Sequence, residues 1–257
     1  LSKDIAPILE GWEHDPDEFQ VRIIVGDDGR DKLQMRVDLG LIQMELEGRP
    51  DGQRPFGHES LFDYHVARAL EESQPYALDS AECAELLREG VQYYHRYFAA
   101  FHLERFDIVA RDTSRNLRLF AFAVQHAEDR RDKIRFDQYR PYVTMMKARA
   151  LSAQAMERDD HRKALEALDE GIEAIRAFLR DYEREEDHAD CRELSKLIRL
   201  RREIEQTRPV GPVERLGQQL ELAVSLENYE EAARIRDQIA RLRGVPTSAD
   251  APTSGSA

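Results

Sequence analysis

Cysteine is almost missing from this chain, and the two that occur, Cys83 and Cys191, stand far apart without a Cys-x-x-Cys spacing. They support neither a disulfide framework nor a cysteine-paired zinc ribbon, and a reducing compartment is the natural reading. No run of about 18 apolar residues occurs, so no membrane contact through a spanning helix is expected. The first residues lack a basic start leading into an apolar stretch, which makes the cytoplasm the expected location. A surplus of positive charge is missing too: 38 Lys and Arg face 51 Asp and Glu, a formal net charge of -13. Phosphate neutralisation needs the opposite balance, so general nucleic-acid binding is disfavoured.

What is present is charge and helix. Over 257 residues, 35% are charged and 8% aromatic, while 41% are hydrophobic, enough for a sizeable core. A β-sandwich would need more β-branched and aromatic residues, so the expected class is mainly α. Strand signals are confined to the start. Phe19 to Val25 is β-branched and bounded by GDDGRD, a hairpin turn sequence. In the return segment Leu33, Met35, Val37 and Leu39 alternate with polar residues and are expected to face one way. LIQMEL, Leu41 to Leu46, supplies a third strand. This small antiparallel β element, residues 1-50, has no chemistry of its own and must pack on something. The Pro/Gly-rich stretch from Gly48 to Gly57 then separates it from a helical body, 58-208.

Helices are expected from Leu61, from an Asp79 or Ser80 cap to about Glu104, over Phe106 to Ala127, Tyr142 to Glu157, Ala164 to Tyr182 and Asp187 to Gln206. Three places share a pattern: ERFDIVARDTSRNL at Glu104, DDHRKALEALDEGI at Asp159 and ENYEEAARIRDQI at Glu227. Each sets an aromatic or His three residues before a small or apolar one. Around the second, Leu151, Ser152, Ala155, His161, Ala164, Leu168, Gly171 and Ile172 occupy packing positions, and the segment 142-182 resembles a tetratricopeptide repeat. It departs from that pattern at Ala148 and Ala155, where a large aromatic is expected. The first copy, with Phe106, Val109, Thr113, Asn116 and Leu117, lies about 55 residues earlier, not the roughly 34 of that repeat. Stacked hairpins of this kind bind through a groove.

After the break RPVGP, residues 209-244 carry two further helical stripes. Val213, Leu216, Leu220 and Val224 mark the first, and Ala232, Ile235, Ile239 and Leu242 the second. A turn near Leu226 to Asn228 would fold them antiparallel. Glu227, Tyr229, Ala232-Ala233, Arg236-Asp237, Ile239 and Leu242, behind a Leu-rich first helix, resemble the UVR motif of UvrB and UvrC. That resemblance implies a docking hairpin. In the excision-repair proteins it pairs hairpin against hairpin, and it recurs in bacterial stress regulators that activate a protein arginine kinase. Leu216, Leu220, Tyr229, Ala232, Ala233, Arg236, Ile239 and Leu242 are then the expected protein-interaction residues. The partner is another protein or a second copy in a homodimer. Outside the hairpin there is no Walker-type loop, no helicase motif, no nuclease constellation and no paired zinc cysteines, so repair function does not follow. The tail, 245-257, is small and polar and reads as disordered.

Candidate chemistry is thin. His188 and Cys191 offer half a metal site at most. His58, Glu59, Asp63 and His65 lack the paired histidines of a metalloprotease helix and read as capping and surface residues. Tyr93, Tyr94, Tyr97, Phe98 and Phe101 have core spacing. Arg192, Lys196, Arg199 and Arg202 form the one candidate nucleic-acid face, belonging to an alternative in which the protein is an accessory factor in DNA repair or stress response. No cofactor, metal or catalytic residue is indicated. The reading is a non-catalytic interaction adaptor: mainly α, with tetratricopeptide-like hairpins and a UVR-type hairpin.

Overall fold

The β-branched segments near the N-terminus pair into one antiparallel sheet of order β1-β2-β3, made by β1 (Val21–Val25), β2 (Asp31–Val37) and β3 (Gly40–Glu45). The computed structural model describes residues 4–72, 74–182, 190–208 and 212–242. A one-turn helix, α1 (Ala6–Leu9), precedes the sheet. Leu33 and Met35 of β2 and Met44 of β3 turn into the core. Leu39 does not follow them, contrary to the alternation. Val37 pairs with Gly40, so Asp38 and Leu39 form the turn itself, and Leu39 is 93% exposed. The opposite face of β2 is also covered, by polar partners. Gln34 accepts from Arg22 Nε at 2.8 Å and donates to Gln43 Oε1 at 2.9 Å. Lys32 Nζ meets Asp28 Oδ2 at 2.7 Å and also pairs with Glu45.

Helices follow: α2 (Leu61–Glu71), α3 (Ser80–His102), α4 (Phe106–His126), α5 (Arg130–Asp137), α6 (Arg140–Met156), α7 (His161–Asp181) and α8 (Arg192–Thr207). Their starts are set by capping side chains. Asp79 and Glu82 make a capping box, while Ser60, Asp129 and Asp160 each accept from a first-turn N–H. α5 was not expected from periodicity. Its eight residues bury Phe136 beside two aspartates, too little for an apolar stripe. The last two helices, α9 (Pro212–Ser225) and α10 (Tyr229–Leu242), form a hairpin. Two compact units result, Leu1–Gln206 and Thr207–Ala257, so the sheet belongs with the helical body.

A buried charge cluster ties sheet to helices in the first unit. Arg96 of α3 grips Asp112 of α4 through two bonds of 2.6 and 2.9 Å, and its remaining Nη1 donates to the carbonyls of Glu45 and Gly48 at 2.8 Å each. Both side chains are 1% exposed. Beside them Glu89 accepts from the N–H groups of Leu61 and Phe62 at 2.7 and 3.1 Å, at the start of α2, and pairs with Arg115. A buried ion pair survives only with its remaining polar atoms satisfied, and here backbone carbonyls and helix-end N–H groups supply the partners.

The three segments that share a pattern share a turn. Glu104, Asp159 and Glu227 all adopt the left-handed conformation, with φ of 56°, 55° and 56°. In each, the next residue closes the helix with the same bond: Arg105, Asp160 and Asn228 donate to the carbonyls of Ala100, Ala155 and Ala223, all at 2.9 Å. This is a Schellman-type end in which a left-handed non-glycine residue costs roughly 1 kcal/mol. In the middle copy α6 and α7 then run in very close contact. A Cβ at Gly171 would lie 2.5 Å from the Ala148 Cβ, so alanine there is what glycine needs opposite it.

Candidate protein-docking hairpin

The terminal hairpin is assembled from local signals. Tyr229 to Leu242 starts with acids, Glu230 and Glu231, and carries Arg241 in its last turn, matching the helix dipole. Asn228 Oδ1 accepts from Glu231 N at 3.3 Å, and Ser225 Oγ donates to Leu222 O at 2.8 Å, so side chains finish both helix ends at the turn. The interior is small. Ala223, Ala232 and Ile235 are buried, with Leu216, Leu220 and Ile239 packed partly over them.

That interior divides the expected interaction residues into two groups. Leu216, Leu220, Ala232 and Ile239 face the other helix of the hairpin and hold it together. Ala233 and Arg236 are exposed, as are Tyr229 at 67% and Leu242 at 55%. Val224, expected in the inner stripe, is half exposed, and Ala223 takes the inner place. Ala223, whose carbonyl accepts the closing bond from Asn228, packs with Ala232 and Ile235 in its place. Leu222 at 60% and Leu226 at 70% are further exposed apolar residues that the stripe pattern did not single out. Leu226 sits in the turn, where helical spacing has no say.

Helical spacing groups the outward residues. Tyr229, Ala233, Arg236 and Ala240 lie four, three and four apart and line one side of α10 next to its inner stripe. Because the helices are antiparallel, Gly217 and Val224 of α9 flank the same side. This face sets the small residues Ala233, Ala240 and Gly217 beside Val224 and Arg236, with the Tyr229 ring at its edge. Arg236 donates to Asp237 Oδ1 from Nε at 3.0 Å and Nη2 at 2.7 Å, which leaves the pair overt but locally neutral.

Other expected sites resolve differently. Ser60 caps α2 and donates to Asp63 Oδ2 at 2.6 Å, so the GHESLFDYH stretch is largely a helix start. His65, read as a surface residue, is buried, with Nδ1 2.5 Å from the Tyr76 hydroxyl, and burial holds its pKa below the usual value. Cys83 is buried and its thiol is pushed up to about 11, the opposite of an activated nucleophile. His188, the Arg243 end of the hairpin and the 245-257 tail lie outside the described residues. Among the described residues, no group of three or more His, Cys, Asp or Glu is placed to hold a metal ion, and no helix is long and apolar enough to cross a membrane. Arg192, Lys196, Arg199 and Arg202 are all exposed on α8, with Arg199 3.5 Å from Glu203 and the neighbouring Arg201 bound to Asp169 at 2.6 Å.

No curated protein and no solved structure matches the chain, and the resemblance to tetratricopeptide repeats finds no support among the comparisons. One family model does match, the UvrB/uvrC motif, over residues 212–245. The hairpin of α9 and α10 is therefore a UVR motif, a non-catalytic interaction motif associated with protein and DNA contacts in UvrB/UvrC-type proteins.

Proposed function

We propose that the protein is a non-catalytic adaptor that docks on another protein through the outward face of its UVR hairpin, Val224, Tyr229, Ala233, Arg236 and Ala240. The observation that carries this reading is the imbalance between what the hairpin buries and what it shows. Among the described residues its interior holds three buried side chains, while on this face Tyr229 is 67% and Val224 50% exposed and Ala233 and Arg236 are exposed as well. Helices of 14 residues are marginal alone, and a unit below about 40 residues rarely buries enough surface to stand by itself. A second pair of helices laid on this face could approach closely over Ala233 and Ala240 and would supply a further layer, with Tyr229 the natural anchor at its edge.

The test separates docking from hairpin integrity. Ile239 is inside the seam, so a charge there would undo the hairpin and prove little. Ala233→Glu changes only the exposed face. Pull-down from the native cell and light scattering over a concentration series should both respond: a partner protein or the self-associated form is lost in the variant. Identical partner lists and identical masses for the two proteins would sink the reading.

A further inference from the structure

Between α3, α4 and α6 lies a cavity of about 410 Å³, within the range of small-molecule sites. None of the side chains lining it carries a formal charge. Its polar groups are one amide and several phenols. The amide is already used: Asn116 Nδ2 donates to the Gly90 carbonyl at 2.9 Å, and its Oδ1 accepts from Arg115 Nη1 at 3.0 Å. The phenols are not. Tyr97 is 1% exposed, and among the described residues neither its hydroxyl nor those of Tyr94 and Tyr142 has a hydrogen-bond partner.

Those three rings converge. The Tyr94 centroid is 5.6 Å from Tyr97, edge-on, and 6.2 Å from Tyr142. Burial pushes the Tyr142 phenol up to about 12 and raises Tyr97 as well, so both remain neutral O–H donors at neutral pH. Tyr97 lines the cavity, so a ligand there that offers an acceptor to its hydroxyl gains a hydrogen bond that no described side chain or backbone group supplies. An ion has no counter-charge here, whereas a flat apolar ring has aromatic faces and edges to pack on.

We propose that this cavity binds a neutral, flat, largely apolar small molecule with a carbonyl-type acceptor, packed against Tyr94, Phe120 and Tyr142 and receiving the Tyr97 hydrogen bond. The site is independent of the hairpin. Val91, exposed at the rim, offers a way to close it without touching the core.

The probe is 6-propionyl-2-(dimethylamino)naphthalene, a neutral naphthalene ketone whose emission moves to the blue in apolar surroundings and to the red when its carbonyl accepts a hydrogen bond. Titrated into the full-length protein it should bind saturably with one-to-one stoichiometry. Val91→Trp, checked for unchanged circular dichroism, should weaken binding by roughly tenfold or more. Tyr97→Phe should keep the site but weaken binding about fivefold, the worth of one hydrogen bond, and move the bound emission further to the blue. No saturable binding, or binding that survives Val91→Trp, overturns the proposal, the second by placing the probe elsewhere. An unchanged emission in Tyr97→Phe overturns the donor.

Discussion

Gly90, Gly171 and Gly217 each sit inside a helix without a positive φ, so alanine at any of them gains the same helix-forming preference, about 1 kcal/mol. What the new methyl meets decides the outcome. At Gly217 nothing lies within 4 Å, and the gain should appear in full as a more stable hairpin. At Gly90 the nearest atom is Leu119 Cδ2 at 3.4 Å, the end of a side chain that can yield, so the change should be close to neutral. At Gly171 the methyl would lie 2.5 Å from the Ala148 Cβ and 3.1 Å from Leu197 Cδ1. A Cβ cannot rotate away, and carbon atoms settle at about 3.5 to 4.0 Å, so α6 and α7 must separate by about 1 Å. Overpacking costs about 1–3 kcal/mol, and an overlap this deep against a Cβ that cannot move falls at about 2–3, which exceeds the helical gain and leaves Gly171→Ala net destabilised by about 1–2 kcal/mol. For a unit of this size that lowers Tm by roughly 3–6 °C. Thermal unfolding followed by circular dichroism measures it. Ala148→Gly in the Gly171→Ala background restores room and should recover part of the loss, giving a favourable coupling of about 1–2 kcal/mol. A Gly171→Ala protein as stable as its parent, or a strictly additive double variant, would refute the close approach of α6 and α7.

Arg96→Met leaves Asp112 buried without its two-pronged partner and the carbonyls of Glu45 and Gly48 without a donor; denaturant unfolding should show a loss of about 3–5 kcal/mol, and a loss below about 1 would mean the sheet is held by its apolar face alone. Burial lowers the pKa of His65, so the folded state binds fewer protons there than the unfolded state. Its contribution is complete above about pH 6.5 and is lost as pH falls from that value toward the lowered one. Tm should therefore decline between about pH 7 and 5.5, with a shallower decline in His65→Gln; equal slopes would exclude His65 as the cause. Duplex DNA titrated at about 50 and about 200 mM salt should show little binding at either, because α8 interleaves its arginines with Glu203 and Glu205. A steeply salt-dependent affinity would instead assign a phosphate-binding role to Arg192, Lys196, Arg199 and Arg202.

Much of the helical layout was legible because caps and stripes are local. Asp79 and the acids of α10 announce helix starts and a period of two in β2 announces a strand, while the Asp160 cap is missed and α7 begins at His161 instead of Ala164. Leu39 misled because a two-residue turn interrupts the alternation, and nothing in the apolar pattern marks where a strand stops. Val224 misled for a related reason: stripes at three and four residues fit two neighbouring faces, and the choice between Ala223 and Val224 depends on which side meets α10. The buried charges could not be read at all. Glu89, Arg96, Asp112 and Arg115 are spaced like the solvated face of any charged helix, and only the arrival of Glu45, Gly48 and the start of α2 encloses them. Tyr94 and Tyr97 have the spacing of a core stripe, and Tyr97 is indeed buried, but spacing does not reveal that these rings border a cavity.

The left-handed residue that joins α9 to α10 has consequences beyond its own hairpin. Since Glu104, Asp159 and Glu227 close their turns with the same bond to an alanine carbonyl, the connection cannot be what distinguishes the three helix pairs. Composition beyond the turn does. Beyond Glu104 and Asp159 the second helices bury large side chains, among them Ile108, Leu119, Ile175 and Leu179. Beyond Glu227, among the described residues of the second helix, only Ala232 and Ile235 are buried, and Ala233 is exposed. In this light one turn serves helix pairs with a large buried core and a pair with a small one, so the turn by itself does not set how much a pair buries.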